Sequence, residues 1–239
     1  DNMSLIASSI MSKKLASGAS NIVLDVKTGS GAFMKAEEDS FSLAKEMVKI
    51  GNGANKKTIA VISDMDQPLG NAVGNILEVK EAIETLKGNG PSDFLELCLT
   101  LGSYMVVLGG KAETELQARE MLLTSIESGA ALAKLAEFIT AQGGDSDYIY
   151  HTERFPKASL VSEITATKSG YISNIECTEI GICSLILGGG RETKESVIDL
   201  TVGFVLHKKV GDFVAVGDVL ATMHANDSEK SEIAKKRFL

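Results

Sequence analysis

The chain has 239 residues, 44% apolar and 23% charged, with a net charge of −8. That length holds one large or two small domains around a sizeable core, and the acidic balance argues against a nucleic-acid surface, which needs a basic patch. No apolar run approaches the ~20 residues that span a bilayer and no signal-peptide pattern opens the chain, while three cysteines without a CxxC spacing (Cys98, Cys177, Cys183) read as reduced thiols in a cytoplasmic protein.

Ser4 to Phe33 reads SLIASSIMSKKLASGASNIVLDVKTGSGAF. Ile6, Ser9, Ile10, Lys13 and Lys14 fall at three- and four-residue spacings, which stack side chains on a helix. Ser9 and Lys13 are four apart and share one face, with Ile6 a turn earlier; Lys14 points about 100° away. Gly18 ends the helix. Asn21 to Val26 is a short apolar run suited to a buried strand, and Thr28 to Phe33 is a glycine-rich turn carrying one aromatic. Asp25 and Lys27 share a face of the strand end, as an ion pair would. The acidic run Glu37-Glu38-Asp39 opens an amphipathic helix that ends at Gly51 or Gly53, and Thr58 to Ile62 is the next strand, so a βαβ crossover is predicted.

Asp64 to Gly74 reads as a loop. Helices are predicted over Ile76–Leu86, Ser92–Leu108 (opened by Pro91), Thr114–Ile126 and Ala130–Ala141. Gly143 to Pro156 is a polar linker. Short alternating stretches follow at Leu160–Ala166, Gly170–Glu176, Ile180–Leu187, Ser196–Leu206 and Val214–Met223, an all-β texture. Ser228 to Leu239 starts a final helix. Gly188-Gly189-Gly190-Arg191 lies within the β segment and reads as a tight connection. His151, His207 and His224 stand apart from the cysteines and from one another, which argues against zinc and against a hydrolytic triad.

SLIASSIMSKKLA followed by VLDVKTGSGAFMK resembles the pyrimidine nucleoside phosphorylases, the family that includes the thymidine phosphorylases. The resemblance runs on through Ala60–Gly70 (AVISDMDQPLG), Gly74–Ile83 (GNILEVKEAI), Gly189–Lys194 (GGRETK) and Lys209–Asp212 (KVGD). It implies reversible phosphorolysis of uridine or thymidine, with phosphate as co-substrate, to the free base and a (deoxy)ribose 1-phosphate. The alternatives are a thymidine-specific phosphorylase or a non-catalytic barrel-sandwich carrier or interaction module. The diphosphate motifs of the related anthranilate phosphoribosyltransferases are not visible, and neither carrier triplet, Met-Lys-Met or Asp-Lys-Ala, occurs.

By that resemblance Ile6, Ser9, Lys13 and Phe33 hold the pyrimidine, and Lys13 is catalytic, its ammonium stabilising charge on the leaving base. From residue types alone, Ser9 and Lys13 read as a solvated helix face and Phe33 as core. The resemblance also implies a cation, potassium or an alkaline-earth ion, on the carbonyls of Leu69 and Ala72 and the Glu81 carboxylate, a hard-oxygen set. Alone, Glu81 reads as an exposed helix acid. A homodimer is implied as well.

The fold expectation is α/β, a central sheet with flanking helices and a smaller β-rich, barrel-sandwich-like C-terminal subdomain. Residues 1–17 are expected to be a helix of an otherwise absent all-α domain, 18–155 part of the α/β catalytic domain, and 156–239 the β-rich part. The family's phosphate loop and a base-binding arginine are expected upstream of Asp1. The 239-residue chain alone is accordingly expected to be inactive, and aggregation-prone through Leu5 and Ile10.

Overall fold

Asn2 starts the first helix. Its side-chain oxygen accepts from the amides of Ser4 and Leu5 at 3.0 and 3.2 Å, satisfying two of the donors a helix start leaves open. The computed structural model describes residues 2–239. Its elements are α1 (Met3–Ala16), β1 (Asn21–Thr28), α2 (Glu37–Gly53), β2 (Lys57–Asp64), β3 (Ala72–Val73), α3 (Asn75–Leu86), α4 (Ser92–Leu108), α5 (Glu115–Glu127), α6 (Ala130–Ala141) and α7 (Asp147–Tyr150). A 3-10 turn at Thr152–Arg154 follows, then β4 (Leu160–Thr165), β5 (Gly170–Tyr171), α8 (Cys177–Leu187), β6 (Gly203–Leu206), β7 (Phe213–Val214), β8 (Val219–Ala225) and α9 (Ser228–Phe238). Two compact units result, one from the residues up to Met65 with Asp93–Ser125, the other from Asp66–Ser92 with Ile126–Leu239.

In the first unit β1 and β2 pair in parallel, from Asn21 opposite Lys57 to Thr28 opposite Asp64, and α2 makes the predicted βαβ connection. Parallel neighbours need such a crossover. Glu37, Glu38 and Asp39 occupy the first turn of α2, where negative charge suits the amide end of the helix dipole. The core joins Ala7 and Met11 of α1 to Ile22, Leu24 and Val26 of β1 and to Leu43, Ala44 and Met47 of α2. Ile10, expected to lack a partner, packs against this core, whereas Leu5 remains 70% exposed.

In the second unit an antiparallel sheet has the order β3-β6-β8-β4, and β5 pairs with β7. None of these small sheets closes into a barrel among the described residues. The sheet and the two helices α8 and α9 share a core of Ile164, Cys183, Leu187, Val202, Phe204 and Met223. A second cluster joins Ile83 of α3 to Ala136 and Ile149.

Four readings of the sequence need correction. The stretch Ile180–Leu187, expected to be a strand, belongs to α8. Its buried residues Ile180, Cys183, Ser184 and Leu187 fall at i, i+3, i+4 and i+7, the helical repeat. Ile182, Leu185 and Ile186 make the rest of the helix apolar too, which hid that repeat. Gly188 is therefore a helix stop at φ 102°, and the amides of Gly188 and Gly189 close onto the carbonyls of Leu185 and Ser184 at 2.9 Å each. The expected strands over Gly170–Glu176 and Ser196–Leu206 shrink to two and four residues. The loop over Asp64–Gly74 contains the two-residue strand β3.

Gly74 and Gly203 face each other where β3 meets β6, at φ 137° and 145°. A Cβ on Gly203 would lie 2.0 Å from the Val73 carbonyl oxygen, and one on Gly74 would lie 2.4 Å from that of Val202. Backbone cannot yield as a flexible side chain does. Gly203→Ala is expected to lower the unfolding free energy by about 2–4 kcal/mol, from overpacking plus strained backbone. Gly217→Ala has open space at φ 92° and is expected to cost only ~1 kcal/mol of backbone strain. Denaturant unfolding of the two variants side by side checks this; equal stability losses would refute the close approach.

Candidate functional site

Helix α1 sets the first candidate site by the way it is rotated. Ala7 and Met11 are both 0% exposed and fix the inner face. Ser9 and Lys13 stand about 140–180° round the helix from them and are exposed. Ile6, half-buried, flanks them and packs on the core cluster. The predicted arrangement of a hydroxyl, an ammonium and an apolar neighbour along one face is therefore present.

Phe33 follows Gly29–Ala32, and this turn is tied down rather than loose. The Gly31 amide donates to the Met65 carbonyl at 2.9 Å, that of Met65 to Thr28 at 2.7 Å, and that of Ala32 to Gly29 at 3.0 Å. Ala32 and Met34 point inward, leaving Phe33 between them 67% exposed. Phe33 is thus not a core residue. It lines a cleft of ≈ 330 Å³ with Ile10, Lys14, Asp25 and Lys27. Ser9 and Lys13 are not among the residues lining this cleft, so the structure groups Phe33 with the neighbouring face of α1.

Asp25 and Lys27 form the expected ion pair at 2.8 Å. Lys27 also donates to the Ser63 hydroxyl at 2.9 Å, and that hydroxyl donates to Asp25. The three close a small polar network across the ends of β1 and β2.

The second candidate site is the segment entering α3. Glu81 is half-buried, not an exposed helix acid. One of its carboxylate oxygens accepts the amides of Asn71 and Ala72 at 2.9 and 3.0 Å. The other lies only 2.2 Å from where a Cβ of residue 70 would stand, so Gly70, at φ 68°, lets the carboxylate close on the loop. The Leu206 amide bonds the Asn71 carbonyl at 2.7 Å, while Ala72 opposes Val205 in the ladder. Antiparallel pairs alternate between bonded and non-bonded. Ala72 accordingly turns its amide and carbonyl away from β6, to the side where Glu81 sits.

Two partners of this loop were missed by sequence reasoning. The Lys209 ammonium donates to the carbonyl of Gly70 at 2.6 Å and also to that of Pro68. The Gln67 side-chain oxygen accepts the Val210 amide at 3.0 Å. More than 130 residues separate these partners along the chain, and no local pattern announces them. Among the described residues no three His, Cys, Asp or Glu side chains converge as a metal site would need. A cation here would be held through backbone carbonyls and the Glu81 carboxylate. Such hard oxygens fit an alkali or alkaline-earth ion.

The chain was compared with known proteins. The profile described as "Glycosyl transferase family, a/b domain" matches residues 3–132. That described as "Pyrimidine nucleoside phosphorylase C-terminal domain" matches residues 171–239. The pyrimidine-nucleoside phosphorylases of Staphylococcus aureus strains bovine RF122 / ET3-1 and USA300 are each 56% identical over 236 residues. Those alignments cover 99% of this chain and 54% of each relative, so the chain spans about half the length of the relatives it matches. The two profiles, one for each part of the chain, together with the 56% identity place it in the pyrimidine nucleoside phosphorylase family of glycosyl transferases.

Proposed function

We propose that this chain belongs to a pentosyltransferase that carries out phosphorolysis of pyrimidine nucleosides, uridine and thymidine, to free base and (deoxy)ribose 1-phosphate. The 56% identity to pyrimidine-nucleoside phosphorylases across 99% of the chain carries this reading. The rotation of α1, which turns Ile6, Ser9 and Lys13 away from the Ala7–Met11 stripe, supports it. The same identity and the two family profiles do not favour a carrier or interaction module. A reducing, cytoplasmic setting belongs to the same proposal and rests on the reading of Cys98, Cys177 and Cys183 as reduced thiols. The homodimer rests on family resemblance alone.

In this reaction phosphate attacks the anomeric carbon as the N-glycosidic bond breaks. The electron pair of that bond passes to the base, whose carbonyl oxygens become more negative. An ammonium already in place stabilises this charge in the transition state more than in the ground state. Lys13 is assigned that role. Ser9, a turn earlier on the same face, donates to or accepts from the edge of the base, and Ile6 and Phe33 supply apolar surface. A cation held by the carbonyls of Leu69 and Ala72 and by Glu81 would neutralise converging oxygens and fix the loop entering α3.

In the full-length protein, Lys13→Ala is expected to lower kcat/KM for phosphorolysis by ~10²-fold or more, the scale of losing one charge-stabilising donor. Ser9→Ala should change it in the same direction, and Lys14→Ala should cost much less. Phosphate-dependent release of uracil or thymine measures all three. A larger loss for Lys14→Ala than for Lys13→Ala would move the base to the cleft lined by Ile10, Lys14 and Phe33.

Glu81→Gln tests the cation. The variant retains an acceptor for the Asn71 and Ala72 amides but lacks the charge. It is expected to need ~10-fold or more potassium for the same thermal stabilisation, the lower end of what altered ligation costs. Overlaying titration curves for variant and parent would remove the site.

A further inference from the structure

In the loop between β2 and α3 the Lys209 side chain engages two alternate backbone carbonyls. Its ammonium lies 2.6 Å from the Gly70 oxygen and also bonds that of Pro68. The carbonyls assigned to the cation are those of Leu69 and Ala72. Lys209 is itself held in place. Its amide donates to the Asp212 carboxylate at 2.8 Å, which closes the Lys209–Asp212 turn. The next residue, Val210, donates its amide to Gln67 at 3.0 Å. Pro68 and Gly70 are buried and Lys209 is half-buried. In that setting a charge-assisted bond to a carbonyl is stronger than one in open water. All these groups belong to the second unit.

We propose that Lys209 is a positioning residue for the cation loop. By drawing the Pro68 and Gly70 carbonyls to one side, it presents those of Leu69 and Ala72, with Glu81, to the ion. This assignment rests on the cation reading given above. The ammonium takes the Pro68 and Gly70 carbonyls and the Leu206 amide takes that of Asn71, so the Leu69 and Ala72 carbonyls are the ones assigned to an exchangeable cation. Glu81 acts from the helix side through the Asn71 and Ala72 amides, and Lys209 from the strand side through two carbonyls. Together they leave the loop little freedom.

The test uses the full-length protein and potassium chloride, with choline chloride keeping ionic strength constant. Two quantities are read for the parent, Lys209→Met and the neighbouring Lys208→Met. The first is the potassium concentration giving half the maximal thermal shift. The second is the hydrogen-exchange rate of the Gly70–Ala72 amides without potassium. Lys209→Met is expected to raise the first by ~10-fold or more and to speed exchange by ~10-fold or more. Lys208→Met should change neither. Faster exchange with an unchanged potassium midpoint would show a structural tether with no bearing on the ion, and would overturn the proposal. A lower midpoint would overturn it the other way, by showing that the ammonium competes with potassium. So would equal effects from Lys208→Met. A parent with no saturable potassium response sinks the cation reading itself, and exchange then shows whether Lys209 orders the loop at all. If Lys209→Met does not fold, Gln67→Leu removes the other tether; it should shift both quantities in the same direction, and no shift would overturn the proposal.

Discussion

The burial of Met11 is the constraint on which the first unit depends. It is wholly enclosed, and its terminal methyl lies 3.2 Å from where a Cβ of residue 51 would stand. Gly51 of α2 thus makes room for a side chain of α1. The same imagined Cβ would lie 2.1 Å from the Thr58 hydroxyl oxygen of β2. One missing methyl group therefore lets α1, α2 and β2 approach together. Cores pack at near-crystalline density and leave little space to slide. A helix locked in this way cannot roll, and its outward face is decided by its inward one. Ser9 and Lys13 owe their positions to Ala7 and Met11.

The second unit solves a different problem. The segment from Gln67 to Ala72 carries buried residues without long-strand pairing, and its peptide groups still need partners. Its amides go to Glu81 and its carbonyls to Lys209 and Leu206. Ionised side chains serve here because each offers several bonds from one point. Glu81 meets two amides with one oxygen, and Lys209 meets two carbonyls with one nitrogen. A loop held from two sides by oppositely charged side chains has little freedom, which suits the carbonyl ligation proposed for it.

Much of the first unit was legible from the sequence, because its signals are local. The apolar run Asn21–Val26, the acidic start of α2 and the glycines at its end each carry a physical preference over a few residues. Ser9 and Lys13 could be placed on one face from their four-residue spacing alone, although only family resemblance gave that face a meaning. Phe33 could not be read from residue type, since the burial of its neighbours Ala32 and Met34 depends on how the turn folds back. The helix α8 was read as strand because apolar residues surround it. Periodicity is visible only against a polar background, and Cys177–Leu187 provides little.

The two candidate sites differ in legibility for a chemical reason. The proposed α1 face would work through side chains, and side chains are what a sequence records. The proposed cation loop would work mainly through carbonyls, which every residue possesses, so the names Leu69 and Ala72 carry no trace of ligation. What the sequence can record there is the apparatus that aims the carbonyls. It includes a glycine where a carboxylate must approach, a glutamate nearly two turns into the next helix, and a lysine with a glycine-aspartate turn behind it. Each of these is common elsewhere and means little alone. Their joint effect follows only once the antiparallel ladder fixes Ala72 opposite Val205, so that its amide and carbonyl turn toward Glu81. A site made of backbone is therefore specified by the sequence through its supports, and those supports can be separated by more than a hundred residues.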